Sequence, residues 1–277
     1  MDKSMTRFQS FDGSHSVIQW NLRRLLFAVK NAVFPLKCLA CGRFFHRFYG
    51  DTDLLRLCVC DHCLAKVVRV VSPLCSRCGI PFHEAGSEDH LCGECIKRPG
   101  YVDFSRAVAR YERTMKPLIQ AYKYHGKIQA ARPLGRLLFD RYCQIYLDDD
   151  KKDPGPDVIV PVPLHKNRFR KRGFNQAWLL IRHWPTWFRQ TDGHRPCVMK
   201  DGMIRHRWTE PQAGLDRKTR QSNLKGAFSQ SPSLDVHGKC VLLIDDVYTT
   251  GATAEECAKV LKKNGARAVH ILTLARA

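Results

Sequence analysis

No stretch of this 277-residue sequence carries the roughly eighteen consecutive apolar residues that a membrane-spanning helix needs. The first sixteen residues are polar, with neither a hydrophobic centre nor a small-residue cleavage site, so no secretory signal is expected there. The two common nucleotide loops are also missing: there is no G-x-x-x-x-G-K-[ST], and no G-x-G-x-x-G follows a strand. That excludes the standard ATPase and dinucleotide-binding readings. Acidic residues are scarce, 26 Asp and Glu against 46 Lys and Arg, for a formal charge of +20. The twelve histidines are scattered, and none stands out as a catalytic base.

Cysteine, by contrast, is abundant and unevenly placed. Nine of the thirteen lie between Cys38 and Cys95, mostly as C-x-x-C pairs. Without a secretory signal the expected compartment is the reducing cytoplasm, where paired thiolates read as metal ligands rather than disulfides. The pairs Cys38/Cys41, Cys60/Cys63, Cys75/Cys78 and Cys92/Cys95 spell C-x2-C-x18-C-x2-C and then C-x2-C-x13-C-x2-C. Zinc takes four such sulfurs at tetrahedral angles, and a two-residue spacer lets one tight turn present two of them. Gly42 and Gly79 follow the second cysteine of their pairs, where a left-handed residue relieves the turn. Two closed, structural zinc sites are expected; redox dithiols and an iron–sulfur cluster are the alternatives. Sequential pairing is favoured over interleaved pairing. Cys58 reads as a non-ligand, and Cys143, Cys197, Cys240 and Cys257 as core residues.

Composition divides the chain into a lead at 1–36, a cysteine-rich module at 37–99 and a larger domain at 100–277. Leu22 to Phe34 is apolar on one face at helical spacing, interrupted by Arg23, Arg24 and Lys30, and reads as a packed or capping helix. The stretch from Tyr101 to Leu147 reads as largely helical, and Asp148 to Asp157 as a linker. DVIVPVP then has the continuous β-branched character of a buried parallel strand, FNQAWLLIRHW that of a helix, and PCVMK that of a short strand. The C-terminal third reads as strand (239–244), helix (253–264, closed by Gly265) and strand (268–274). Strands alternating with helices imply a parallel α/β sheet.

The segment VLLIDDVYTTGAT carries the chemistry. A strand ending at Ile244 would set Asp245 and Asp246 at the carboxyl edge of the sheet, where open α/β folds bind ligands. The turn beyond supplies the hydroxyls of Thr249, Thr250 and Thr253 and free amides around Gly251, then enters a helix whose N-terminus suits an anion. Thr253 and Glu256 also fit a capping box. Adjacent carboxylates beside a phosphate cradle need something hydroxylic or cationic between them, which a ribose 5-phosphate with Mg²⁺ provides.

This segment closely resembles the 5-phosphoribosyl-1-pyrophosphate (PRPP) signature of type I phosphoribosyltransferases. Together with DVIVPVPLHKNRFRKRGFNQA, WTEPQAGLDRKTRQSNLKGAF and the cysteine pairs, it resembles the ComF family from about Cys38 to Ala277. The resemblance implies a type I phosphoribosyltransferase-like parallel sheet with flanking helices, preceded by a small double zinc-ribbon module. It implies that Asp245 and Asp246, as the catalytic pair, hold the ribose hydroxyls directly or through Mg²⁺. Val247, Tyr248, Thr249, Thr250, Gly251, Ala252 and Thr253 would then wrap the 5′-phosphate. Pro163, Leu164 and His165 would form the pyrophosphate loop with Arg168 and Arg172, and Arg207, Gln212, Arg217 and Arg220 a mobile flap. Asn175 and Gln176 fall in the matching RGFNQ stretch, and Lys116 and Lys123 in a matching helix without an assigned role. Residues 161–225 hold fifteen Lys and Arg against four Asp and Glu, a net of +11, which suits a polyanion. Two functions stay open: Mg²⁺-dependent phosphoribosyl transfer to an unidentified acceptor, linked to DNA uptake, or PRPP sensing and single-stranded DNA binding without catalysis. Phe169, Phe174 and Trp178 would supply stacking in the second. Competence or DNA-processing proteins are the expected protein partners, and an adaptor role for the zinc module is the plainest alternative.

Overall fold

The computed structural model describes residues 25–277 except 27, 31, 48, 49, 51, 83–87, 148–154, 192 and 209–223. Its centre is a five-stranded, all-parallel sheet in the order β3-β9-β8-β4-β5. The strands are β3 (Phe104–Arg110), β4 (Val158–Pro161), β5 (Cys197–Val198), β8 (Cys240–Tyr248) and β9 (Ala268–Arg276). The β-branched and leucine-rich runs of β4, β8 and β9 are buried on both faces, as a parallel sheet covered by helices requires.

One face is covered by the helices Met115–Tyr124, Ala131–Tyr146, Gln176–Ile181 and Trp184–Phe188. Met115, Leu118, Ile119 and Tyr122 recur at helical spacing on the buried side of the first of these. The other face carries the helix Ala252–Lys263 and a hairpin of β6 (Met203–Arg205) and β7 (Phe228–Gln230).

Several sequence expectations change. FSRAVAR, read within a helical region, is the edge strand β3, since its pairing with β9 from Phe104↔His270 to Arg110↔Arg276 overrides local preference. The strand expected to stop at Ile244 runs on to Tyr248, because β9 pairs with it as far as Tyr248↔Arg276. FNQAWLLIRHW splits into Gln176–Ile181 and a separate turn of helix from Trp184. The lead is helical around residues 28–30, but Leu25, Leu26, Val29, Val33 and Phe34 remain at least 53% exposed. Cys197, expected in the core, is exposed on the edge strand β5, and Cys143 is only partly buried. No helix among the described residues is long and apolar enough to cross a membrane.

The cysteine module is integral to this fold. β1 (Leu36–Lys37) and β2 (Phe44–Phe45) form its first hairpin. Cys38, Leu55, Cys58, Val59 and Cys63 share one apolar core with Leu134, Leu137 and Leu138 of the long helix. The buried Thr114 hydroxyl donates to the Cys63 carbonyl at 2.7 Å. Val70 and Val68 cover the open edge of β3 through bonds to Val108 and Arg110. An edge strand left unpaired would be a template for aggregation, and the module covers it.

Candidate functional site

The thiols of Cys38, Cys41, Cys60 and Cys63 all lie within 4.8 Å of one another, as do those of Cys75, Cys78, Cys92 and Cys95. Four sulfurs about 2.3 Å from a zinc ion form a tetrahedron with edges of about 3.8 Å. Cys41 and Cys60 are 3.9 Å apart and Cys78 and Cys92 3.8 Å. Backbone amides of Cys60 and Cys92 point at the sulfurs of Cys38 and Cys75 at 3.4 and 3.3 Å, the donors a thiolate cluster needs. The pairing is sequential. Gly42 and Gly79 take φ of 76° and 66°, as their turns require. Cys58 lies outside both clusters, and burial pushes its thiol up to about 12.

At the sheet's carboxyl end, β4 stops at Pro161, paired with Ile244, while β8 continues along β9. The flank of Asp245 and Asp246 that faces β4 is therefore left without a paired strand, the place where open α/β sheets form their ligand crevice. Asp246 is buried, and its Oδ1 lies 2.8 Å from the Lys123 ammonium on the helix Met115–Tyr124. Its Oδ2 is buried with no hydrogen-bond donor among the described residues. Asp245 accepts from the amide of Asp246 at 2.8 Å. Burial, and then the Asp246 charge, raise the Asp245 carboxyl to about 7 against the pull of Lys123. Burial alone would lower Lys123, yet Asp246 and then Asp245 hold it above the ordinary lysine range. Sequence reading left Lys123 without a role; its partner lies 123 residues away, and no local pattern connects them.

The loop beyond β8 turns at Gly251, whose φ of 77° favours glycine and whose missing Cβ leaves room for the Tyr248 hydroxyl. The helix begins at Ala252, so Gly251 and not Thr253 is its N-cap. The capping box is thereby overturned: Glu256 accepts instead from the amide of Gly226 at 3.2 Å. The first turn of this helix follows Thr249 and Thr250 and contains Thr253; its leading amide, that of Ala252, reaches the Thr250 hydroxyl at 3.5 Å.

Across the crevice, Val162 donates to the Ile244 carbonyl at 2.9 Å, which ties the start of the Pro163–His165 loop to β8. Asn175 donates to the Val162 carbonyl at 3.1 Å and caps the next helix by accepting from the amides of Ala177 and Trp178. Its role is structural. His165 caps the helix Lys166–Arg172, accepting from Asn167 at 3.2 Å. Arg168 and Arg172 lie on that helix, and burial followed by Arg172 lowers the Arg168 guanidinium. The buried Arg205, which sequence reading passed over, is lowered to about 10 by burial and then by Arg168, and it senses Asp245. Charges of one sign gathered this closely suit an anion. Arg172 donates to Gln176 at 2.5 Å and lies over the Tyr124 ring. Arg207 is exposed beside the hairpin, while Gln212, Arg217 and Arg220 fall outside the described residues. Phe174 is core, packed against Tyr122, and Trp178 is half-buried under Lys200; Phe169 and Trp208 are exposed.

Comparison with known proteins follows the same division. Residues 29–96 match the double zinc ribbon domain, and residues 198–277 the phosphoribosyl transferase domain. The DNA utilization protein YhgH of Escherichia coli (strain K12) is 34% identical over 223 residues, covering 79% of this chain and 90% of that protein. Competence protein F of Haemophilus influenzae is 30% identical over 248 residues, covering 88% and 98%. Competence protein ComFC of Bacillus subtilis is 27% identical over 255 residues, covering 88% and 96%. With four-cysteine zinc ribbons packed on a phosphoribosyl transferase sheet, and these relatives along most of its length, the chain belongs to the ComF family.

Proposed function

We propose that the crevice between β8 and the Pro163–His165 loop binds PRPP, and that the chain works on DNA in the reducing cytoplasm. The observation that carries this reading is the buried Asp246 carboxylate, one oxygen on Lys123 and the other without a donor, at the end of the strand that leads into the Gly251 loop. An orphaned buried acceptor costs about 1–3 kcal/mol, and a ribose hydroxyl would satisfy it. Asp245, protonated in part near neutral pH, would take the neighbouring hydroxyl. The amides of the turn from Thr249 to Thr253 would hold the 5′-phosphate. Arg168, Arg172 and Arg205, whose charges act on one another, would stabilise the charge of a diphosphate as it leaves C1 of the sugar. Mg²⁺ suits the hard oxygen donors of Asp245 and the diphosphate, and when bound it would neutralise the leaving group. Lys123 already occupies Asp246, which favours direct contact between that carboxylate and the sugar. Among the described residues Asp245, raised to about 7, would be the candidate base, and the acceptor would supply the nucleophilic nitrogen.

Calorimetric titration of PRPP with and without Mg²⁺ tests the binding half, and pyrophosphate release across an acceptor panel tests transfer. Both should be lost in Asp245→Asn. No heat from PRPP under either condition would end this reading.

The second reading, single-stranded DNA binding, is favoured by one observation. Exposed Trp208 lies under Arg168 at 5.7 Å and against His165, with exposed Phe169 on the same basic helix. Bases stack on such aromatics while arginines hold the backbone phosphates. The names of the relatives, DNA utilization and competence proteins, point the same way. DNA affinity that falls steeply with salt and survives Asp245→Asn would separate it from the first reading.

A further inference from the structure

The second zinc cluster and the phosphate loop share a side chain. Arg276 ends β9, opposite Tyr248 of β8. One arm of its guanidinium, Nη1, donates to the carbonyl of Thr249 at 2.7 Å and, more weakly, to that of Tyr248 at 3.4 Å. The other arm, Nη2, lies 3.8 Å from Sγ of Cys78. The plane of the group sits 4.5 Å over the Tyr248 ring, whose hydroxyl fills the space beside Gly251. Beyond the last ribbon cysteine a second tie meets the same element: Glu255, in the first turn after the loop, accepts from the amide of Tyr101 at 2.6 Å.

Charge explains why the first contact matters. A zinc ion held by four thiolates keeps two net negative charges and draws cations and amide donors around it. At the first cluster that cation is local: Arg43 bonds the Cys41 thiolate from within the same knuckle. At the second cluster Arg276 comes from 198 residues away, and its other arm, Nη1, holds the loop. One guanidinium thus fixes the Thr249 carbonyl at the entrance of the turn and supports that of Tyr248, which also accepts from the amide of Ala277.

We propose that Arg276 is a positioning residue that ties the second zinc site to the phosphate loop. Zinc at Cys75, Cys78, Cys92 and Cys95 then sets how firmly the loop grips a phosphorylated ribose. This rests on the reading that the loop takes a 5′-phosphate. With the zinc gone the tetrathiolate charge goes too, Arg276 loses its anchor, and the loop relaxes.

The test uses the full chain, with ribose 5-phosphate as the titrant, amide hydrogen exchange over residues 248–253, and zinc release to a chromophoric chelator. Arg276→Ala should weaken ribose 5-phosphate about tenfold, the scale of a lost charged hydrogen bond, and speed loop exchange by a similar factor. Cys78→Ser should do the same, and the two changes together should be no worse than either alone. Cys41→Ser at the first cluster should instead leave the Arg276→Ala effect at full size. Additive effects of Cys78→Ser and Arg276→Ala would overturn the coupling, because a merely structural arginine gives that result. If the parent protein does not bind ribose 5-phosphate, the functional reading fails, and the same cycle read in loop exchange decides the coupling alone. If Cys78→Ser does not fold, zinc release decides: Arg276→Ala must lose the second zinc several-fold faster than the parent, Arg276→Lys must fall between, and equal rates would overturn the proposal.

Discussion

Replacing Lys123 with methionine keeps the length of the side chain and removes its charge. The Asp246 side chain is 4% exposed and that of Lys123 15%, so the 2.8 Å pair has little water to fall back on. Breaking a buried pair by deleting one partner costs about 3–5 kcal/mol, since the other charge stays behind unpaired. Here a second carboxylate, Asp245, already raised to about 7, adds repulsion, and its uptake of a proton would relieve part of the loss. A destabilisation of about 2–4 kcal/mol is expected, which for a domain of this size lowers the melting temperature by roughly 5–15 °C. Urea unfolding of Lys123→Met, Asp246→Asn and the double variant at pH 7.5 gives the coupling directly, expected at about 2 kcal/mol, with the double variant recovering most of the loss. A cost for Lys123→Met within about 0.5 kcal/mol would match an exposed surface pair and refute the argument.

Asp245→Asn should stabilise the folded chain. Its folded pKa lies above the unfolded value, so the parent holds an extra proton that it loses as pH rises through about 7. Between pH 5.5 and 8 the parent should therefore fall behind the variant by roughly 1–2 kcal/mol, as urea midpoints at the two pH values would record; a constant gap would contradict it. Gly251→Ala forces a Cβ into a left-handed position against the Tyr248 hydroxyl, costing about 1–2 kcal/mol, and should weaken inorganic phosphate and ribose 5-phosphate alike by about tenfold or more in calorimetry. Undiminished affinity would mean the turn does not hold the anion. Cys63→Ser should remove the first zinc and lower the melting temperature of the whole chain in one transition, because this cluster shares its core with the long helix. A separate, unshifted transition for the sheet would refute the shared core.

Short-range chemistry was what the sequence made legible. Two sulfurs three residues apart must meet, so both zinc clusters could be read from spacing, and the hydroxyl-rich turn after an apolar strand could be read from its composition. Long-range pairing was not. β3 carries Arg106 and Arg110, and Arg106 looks out of place in a buried strand until its guanidinium is seen bonding the carbonyls of Cys75 and Ser76 in the ribbon. The extension of β8 through two aspartates depends on β9, and the true helix cap is a left-handed glycine that hydroxyl-based capping rules pass over. The roles of Lys123 and Arg276 were hidden for the same reason: their partners lie 123 and 198 positions away.

The register of β3 against β9 has a kinetic consequence. Asp103 receives the amide of Val269 across a separation of 166 residues, so the first strand of the sheet gains its permanent neighbour only when the last arrives. Closing so large a loop is slow relative to helix formation and local turns. During synthesis β3 would wait with one flank bare, while Val68 and Val70 already shield the other. The ribbons would thus guard the leading strand of the nascent sheet from within until β9 has been made.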